Sequence, residues 1–174
     1  MLTEFLLAAF YLAEALFVLH RISRRYKNQL SGSQIYGFFL LKVLFGIAYG
    51  IVFLKFYGGD DTWLHHRLSL EQYQLLLDHP LQFFTDFSRV RGEAGLHKFF
   101  EVENSFWDHL EMVLYLRFLA LLNFFSLGHY YVNVVLFNLL VFCGQLLLFR
   151  LFLRNFPAGK TLLTVVIFCF PIVL

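Results

Sequence analysis

At 174 residues the chain has the length of one soluble domain, but 59% of its residues are hydrophobic, 20% are aromatic and the mean hydropathy is +0.66. That balance excludes a water-soluble globular domain, whose core could not bury 24 Phe, and points to helices that face lipid. A net charge of +2 makes no case for nucleic acid, and none is expected as a partner; the basic residues matter through where they cluster.

Residues 2–20 form an apolar run long enough to cross a hydrocarbon core of ~30 Å at about 1.5 Å per residue, and read as the first spanning helix. A cleaved signal peptide is the competing reading, but basic residues follow the run instead of preceding it, and no small-residue cleavage site is present. Glu4 lies at the end of the run and reaches water, whereas Glu14 is deep enough to need a partner from another helix or a protonated state. Arg21, Arg24, Arg25 and Lys27 then come in one acid-free segment closed by Ser31-Gly32-Ser33. Lys and Arg in short loops favour the cytoplasmic side, so this segment is expected inside. Residues 35–56 make the second span, with Gly37, Gly46 and Gly50 offering close helix contacts and Lys42 placed to snorkel inward. Its far end, and the amino terminus, are then outside.

That far end carries Tyr57-Gly58-Gly59-Asp60-Asp61-Thr62-Trp63, two adjacent carboxylates where an apolar helix leaves the membrane. Lipid cannot solvate them, so they must face water, a counter-charge, a metal or a reacting group. The glycines permit a tight turn, and Asp60 or Asp61 is placed to cap a helix beginning near Thr62. The competing reading is chemical: one carboxylate takes a proton from a sugar hydroxyl while its neighbour orients it or holds a divalent cation such as Mg or Mn. Asp60 is favoured over Asp61 for that role. His65 and His66 point about 100° apart on a helix and suit one metal poorly; each reads as an interfacial histidine or as a ligand for substrate phosphate or sugar.

Between residues 62 and 110 no apolar run is long enough to span. Leu70, Tyr73, Leu76, Leu77, Phe83, Phe84 and Phe87 recur at spacings near three and four, which predicts helices lying flat on the interface and split by Pro80. Residues 89–95 read as a flexible connection over the site. Residues 110–127 are apolar but short and carry Glu111, Arg117 and Asn123; a full crossing would leave Arg150, Arg154 and Lys160 outside. They are therefore read as an interfacial or re-entrant helix, with Arg117 pairing to Glu111, snorkelling or meeting a phosphate. Residues 131–152 make the third span and residues 161 onward the fourth, which stops at Leu174 while still apolar, as a piece of a longer protein would. Cys143 and Cys169 sit in apolar runs without metal-site spacing and read as small fillers. No Gly-rich phosphate loop, zinc spacing or nucleophile elbow is present.

A span ending in Tyr57-Gly58-Gly59-Asp60-Asp61, a polar outer loop, then Phe124-Phe125-Ser126-Leu127-Gly128-His129-Tyr130-Tyr131 before a span ending in basic residues resembles the GT-C superfamily of multi-span glycosyltransferases. Asn104-Ser105-Phe106-Trp107-Asp108 and Phe170-Pro171 are similar to uncharacterised bacterial members. The apolar runs and basic clusters give an all-α polytopic fold of about four spanning helices, divided at 1–56, 57–130 and 131–174, with the acidic loop outside; the resemblance, which covers about residues 35–174, implies a GT-C-like fold in a bacterial cytoplasmic membrane. It implies Asp60 and Asp61 as the catalytic acids, a sugar on polyprenyl phosphate as donor, and metal dependence that varies within the family. The family has many more spans and a further acid in a later loop, and the helix at residues 2–20 is not one of its standard features. The rival expectations are a noncatalytic membrane subunit with partner subunits, and a transporter, for which Glu14 and Lys42 alone give thin support.

Overall fold

The structure, a computed structural model, describes residues 2–86 and 106–169. Among them every regular element is helical. In chain order they are α1 (Leu2–Ser23), a 3₁₀ turn (Arg24–Tyr26), α2 (Gly32–Tyr57), α3 (Asp61–Asp78), α4 (Pro80–Thr85), α5 (Phe106–Ser126), α6 (Tyr130–Asn155), a 3₁₀ turn (Pro157–Gly159), α7 (Lys160–Thr164) and a π-helical turn (Val165–Cys169). Four helices are long and apolar enough to cross a membrane: Thr3–Tyr26, Gly32–Tyr57, His109–Ser126 and Tyr130–Asn155. The chain is an all-α, multi-pass integral membrane protein.

The number four matches the sequence expectation, but the membership differs. Residues 110–127 were expected to be too short and too polar to span. The helix starts earlier, at Phe106, and its 21 residues extend about 31 Å. Two of its polar residues are covered by protein, Arg117 being 8% exposed and Asn123 fully buried, while Glu111 near its start is exposed. The segment from residue 161, expected as a fourth span that stops short, belongs to an apolar helix, Pro157–Cys169, shorter than the other four, and residues 170–174 lie outside the described ones.

The chain forms two compact units. The first comprises Met1–Tyr49 and Val134–Leu174. Its core is aliphatic and aromatic: Ile35, Phe39 and Val43 recur every four residues along α2 and are buried with Ala15, Leu19, Phe142, Leu146 and Phe149. Phe168 stacks on Phe38 at 5.2 Å and meets Phe142 and Phe149 at 5.5 Å each. A Cβ at Gly46 would lie 2.8 Å from Val134 Cγ1, so the glycine permits that approach; at Gly37 nothing among the described residues lies within 4 Å, so they supply no close contact there. Helix α2 opens on a capping box, in which the Gln34 N–H donates to Ser31 Oγ at 3.2 Å and the Ser31 N–H donates to Gln34 Oε1 at 2.9 Å. Glu14 is exposed in the middle of α1.

The second unit is Gly50–Asn133. Pro80 separates α3 from α4 as its missing N–H requires, occupying the first turn of the new helix. Of the apolar positions expected to face the interface, Leu77 and Phe84 are exposed, at 52% and 61%, beside Leu81 at 82%, while Phe83 is buried. Phe87 and the connection at 89–95 lie outside the described residues, as do Asn104, Ser105, Phe170 and Pro171.

Candidate functional site

The acidic stretch is shaped by the end of α2. Gly58 and Gly59 have φ of +73° and +113°, conformations that L side chains resist, and they turn the chain out of α2 so that Asp60 enters α3 in extended geometry. Asp60 is the N-cap of α3: its Oδ1 accepts the Trp63 N–H at 3.3 Å and the Thr62 hydroxyl at 2.7 Å. The capping role anticipated for this pair thus falls to Asp60. Asp61 occupies the first turn and is exposed, where its charge complements the helix dipole.

Above this cap lies an aromatic assembly. Trp63 stacks on Tyr130 with centroids 3.8 Å apart and planes 13° from parallel, while its indole N–H donates to the Gly50 carbonyl at 3.0 Å. Because the Thr62 hydroxyl gives its proton to Asp60, the Tyr130 hydroxyl, 3.1 Å away, donates to Thr62. A directed relay therefore runs from Tyr130 through Thr62 to the Asp60 carboxylate. Tyr131 meets Trp63 edge-on at 6.2 Å. Gly50 makes room for this arrangement, since a Cβ there would lie 2.6 Å from Tyr130 Cε1.

His66 belongs to the same assembly. It is 8% exposed and presents its edge to Tyr130 at 5.3 Å and to Trp63 at 6.1 Å. Burial holds its pKa down at about 4, opposed by a hydrogen bond with the Gly128 backbone and reinforced by the nearby His129, so the ring is neutral at pH 7. His65 points elsewhere, edge-on to Tyr115 at 5.2 Å, as the expected divergence of consecutive helical residues requires. Arg117 is placed differently from expectation. Glu111, six positions earlier, lies about 240° around α5 and is exposed. The guanidinium instead sits over the Phe83 ring at 5.4 Å and donates to the Asp86 carbonyl. Of the residues expected to bind substrate, only His66 is gathered with the acids, and both it and Arg117 are packed inside the protein.

A buried polar chain supports α3 from behind. Ser69 Oγ donates to the His66 carbonyl at 2.7 Å, Asn123 Nδ2 donates to Ser69 Oγ at 2.8 Å, and Asn133 Nδ2 donates to Asn123 Oδ1 at 2.5 Å. Each link is shielded from water, so each helps set the register between helices. The turn from α5 to α6 is a Schellman motif, with Leu127 at φ +54°, Gly128 at φ +76° and the Gly128 N–H donating to the Asn123 carbonyl at 3.1 Å.

Sequence reasoning missed the Trp63–Tyr130 stack and the Asn123–Ser69 link. It also passed over the Ser31–Gln34 capping box, which the S-x-x-Q spacing signals. Asp60 and Asp61 do not gather a metal set: among the described residues no three His, Cys, Asp or Glu side chains converge. Comparison of the chain with protein-family models, with curated proteins and with solved structures finds no match.

Proposed function

We propose that this chain takes part in glycosyl transfer at the outer face of a bacterial cytoplasmic membrane, from a sugar on polyprenyl phosphate to a hydroxyl-bearing acceptor. The observation that carries the reading is the direct joining of the two stretches on which the GT-C resemblance rests. The acidic stretch and the aromatic one meet through the Tyr130–Thr62–Asp60 relay and the Trp63–Tyr130 stack. In this reading Asp61, the exposed acid, takes the proton from the acceptor hydroxyl. The acceptor oxygen bonds to the anomeric carbon with inversion, the carbon–oxygen bond to phosphate breaks, and polyprenyl phosphate leaves with the electron pair. Asp60, held by its cap and relay, positions Asp61 at the start of α3.

The basic clusters support an outward placement of the acids: Arg21 to Lys27 come before α2, at the opposite end from the acids, and are expected inside. The placement of α5 beside polar α3, through Asn123–Ser69 and Tyr115–His65, favours a helix resting on the outer face.

A second reading, a noncatalytic membrane subunit, is favoured by the use of Asp60 as a cap. Transfer assays with a lipid-linked donor separate the two. Asp61→Asn is expected to abolish transfer at unchanged protein level. Asp60→Asn, which still caps, is expected to lower it by about tenfold through lost positioning. Full activity in the double variant would leave the pair as a helix terminus and support the subunit.

A further inference from the structure

In the first unit an open hollow is lined by Gln29, Arg150, Leu153 and Arg154. We propose that it binds the phosphate of an anionic lipid headgroup.

Arg150 and Arg154 lie one turn apart near the end of α6, so their guanidinium groups share one side of the helix, and both are exposed. Among the described residues of this unit none supplies them a counter-charge. There is no Asp or Glu between residues 15 and 59, nor anywhere after Glu111. The unit's two acids, Glu4 and Glu14, are on α1, with Glu14 about 18 Å along the helix from Tyr26. Two adjacent guanidinium forks match phosphate oxygens, and basic hollows at the ends of spanning helices suit phospholipid headgroups.

Two further features favour a lipid over a free ion. Gln29 Oε1 is buried with no hydrogen-bond partner among the described residues, so it can accept from a donor such as a headgroup hydroxyl. Gln29 is fixed there because both its own N–H and that of Leu30 donate to the Tyr26 carbonyl, at 2.7 and 2.9 Å. Leu153 forms an apolar wall, and Leu147 and Leu151, 65% and 59% exposed on the same helix, offer a path for acyl chains. A glycerol-phosphate headgroup joins phosphate, hydroxyl and chains in one molecule.

The test uses the full chain in a neutral detergent, with thermal unfolding followed on adding phosphatidylglycerol, phosphatidylcholine or inorganic phosphate. Phosphatidylglycerol is expected to raise the midpoint by about 5 °C more than phosphatidylcholine. R150Q/R154Q is expected to remove most of that difference, and Gln29→Leu about half, while R24Q/R25Q, outside the hollow, keeps it. An equal response to both lipids overturns the proposal. So does an equal loss in R24Q/R25Q, which means diffuse surface attraction, and so does a full response to inorganic phosphate alone, which means a site for a soluble anion.

Discussion

The indole of Trp63 lies face to face on the phenol ring of Tyr130, 67 positions later in the chain, with centroids 3.8 Å apart. This contact fastens the start of α3 to the start of α6, and the hydroxyl of the same tyrosine reaches Thr62. Stacking and hydrogen bonding are separable by substitution. Tyr130→Phe keeps the ring and is expected to cost about 1 kcal/mol, whereas Trp63→Ala removes the stack and the bond to Gly50 and is expected to cost about 3 kcal/mol. Thermal unfolding in detergent measures both; equal losses would mean that the stack contributes little.

The buried His66 makes the second unit sensitive to acid. Its folded pKa, about 4, lies below the ordinary 6.5, so the unfolded chain binds more protons between those values and stability falls as pH drops through that window. The loss reaches at most about 3 kcal/mol below pH 4 and is absent above pH 7. Unfolding midpoints at pH 7.5 and 4.5 are expected to converge in His66→Phe relative to the unaltered chain. An identical drop in both would place the acid sensitivity elsewhere.

Three glycines on α2 are expected to respond to alanine with opposite signs. At Gly50 the added Cβ meets Tyr130 Cε1 at 2.6 Å, and at Gly46 it meets Val134 Cγ1 at 2.8 Å, so each variant is expected to lose about 1–2 kcal/mol by overpacking. At Gly37 nothing among the described residues lies within 4 Å, and the gain in helix propensity is expected to stabilise by about 0.5–1 kcal/mol. Chemical or thermal unfolding of the three single variants checks the signs. Stabilisation by Gly50→Ala would contradict the close approach of Tyr130.

Cysteine labelling tests whether α5 crosses the membrane. Glu111 and Phe125, both exposed, stand near its two ends. If α5 rests on the outer face, an impermeant thiol reagent is expected to reach Glu111→Cys and Phe125→Cys from the same side. Labelling from opposite sides would make α5 a spanning helix and reverse the direction of α6.

The long apolar runs were legible because length alone marks a helix that lipid can surround, and the Asp60 cap was legible from an acid placed just before the polar helix. What covers residues 106–126 was not. Arg117 and Asn123 look unfavourable for a span when every helix face is assumed to meet lipid, but Phe83, Asp86, Ser69 and Asn133 cover them. Which face of a helix is covered depends on neighbours distant in sequence. The same holds for Trp63 and Tyr130, whose only local sign was Gly50, a small residue marking a close approach without naming what approaches.

That close approach makes positions 50 and 130 a single evolutionary choice. With the ring of Tyr130 occupying the space beside Gly50, a larger residue at 50 requires a smaller one at 130. Each one-step path between such pairs passes through an overfilled site or a void, both costly. Homologues should therefore show glycine opposite an aromatic, or a side chain opposite a small residue, and rarely a mixture. Such covariation would identify relatives sharing this helix crossing even where the acids at 60 and 61 have been replaced.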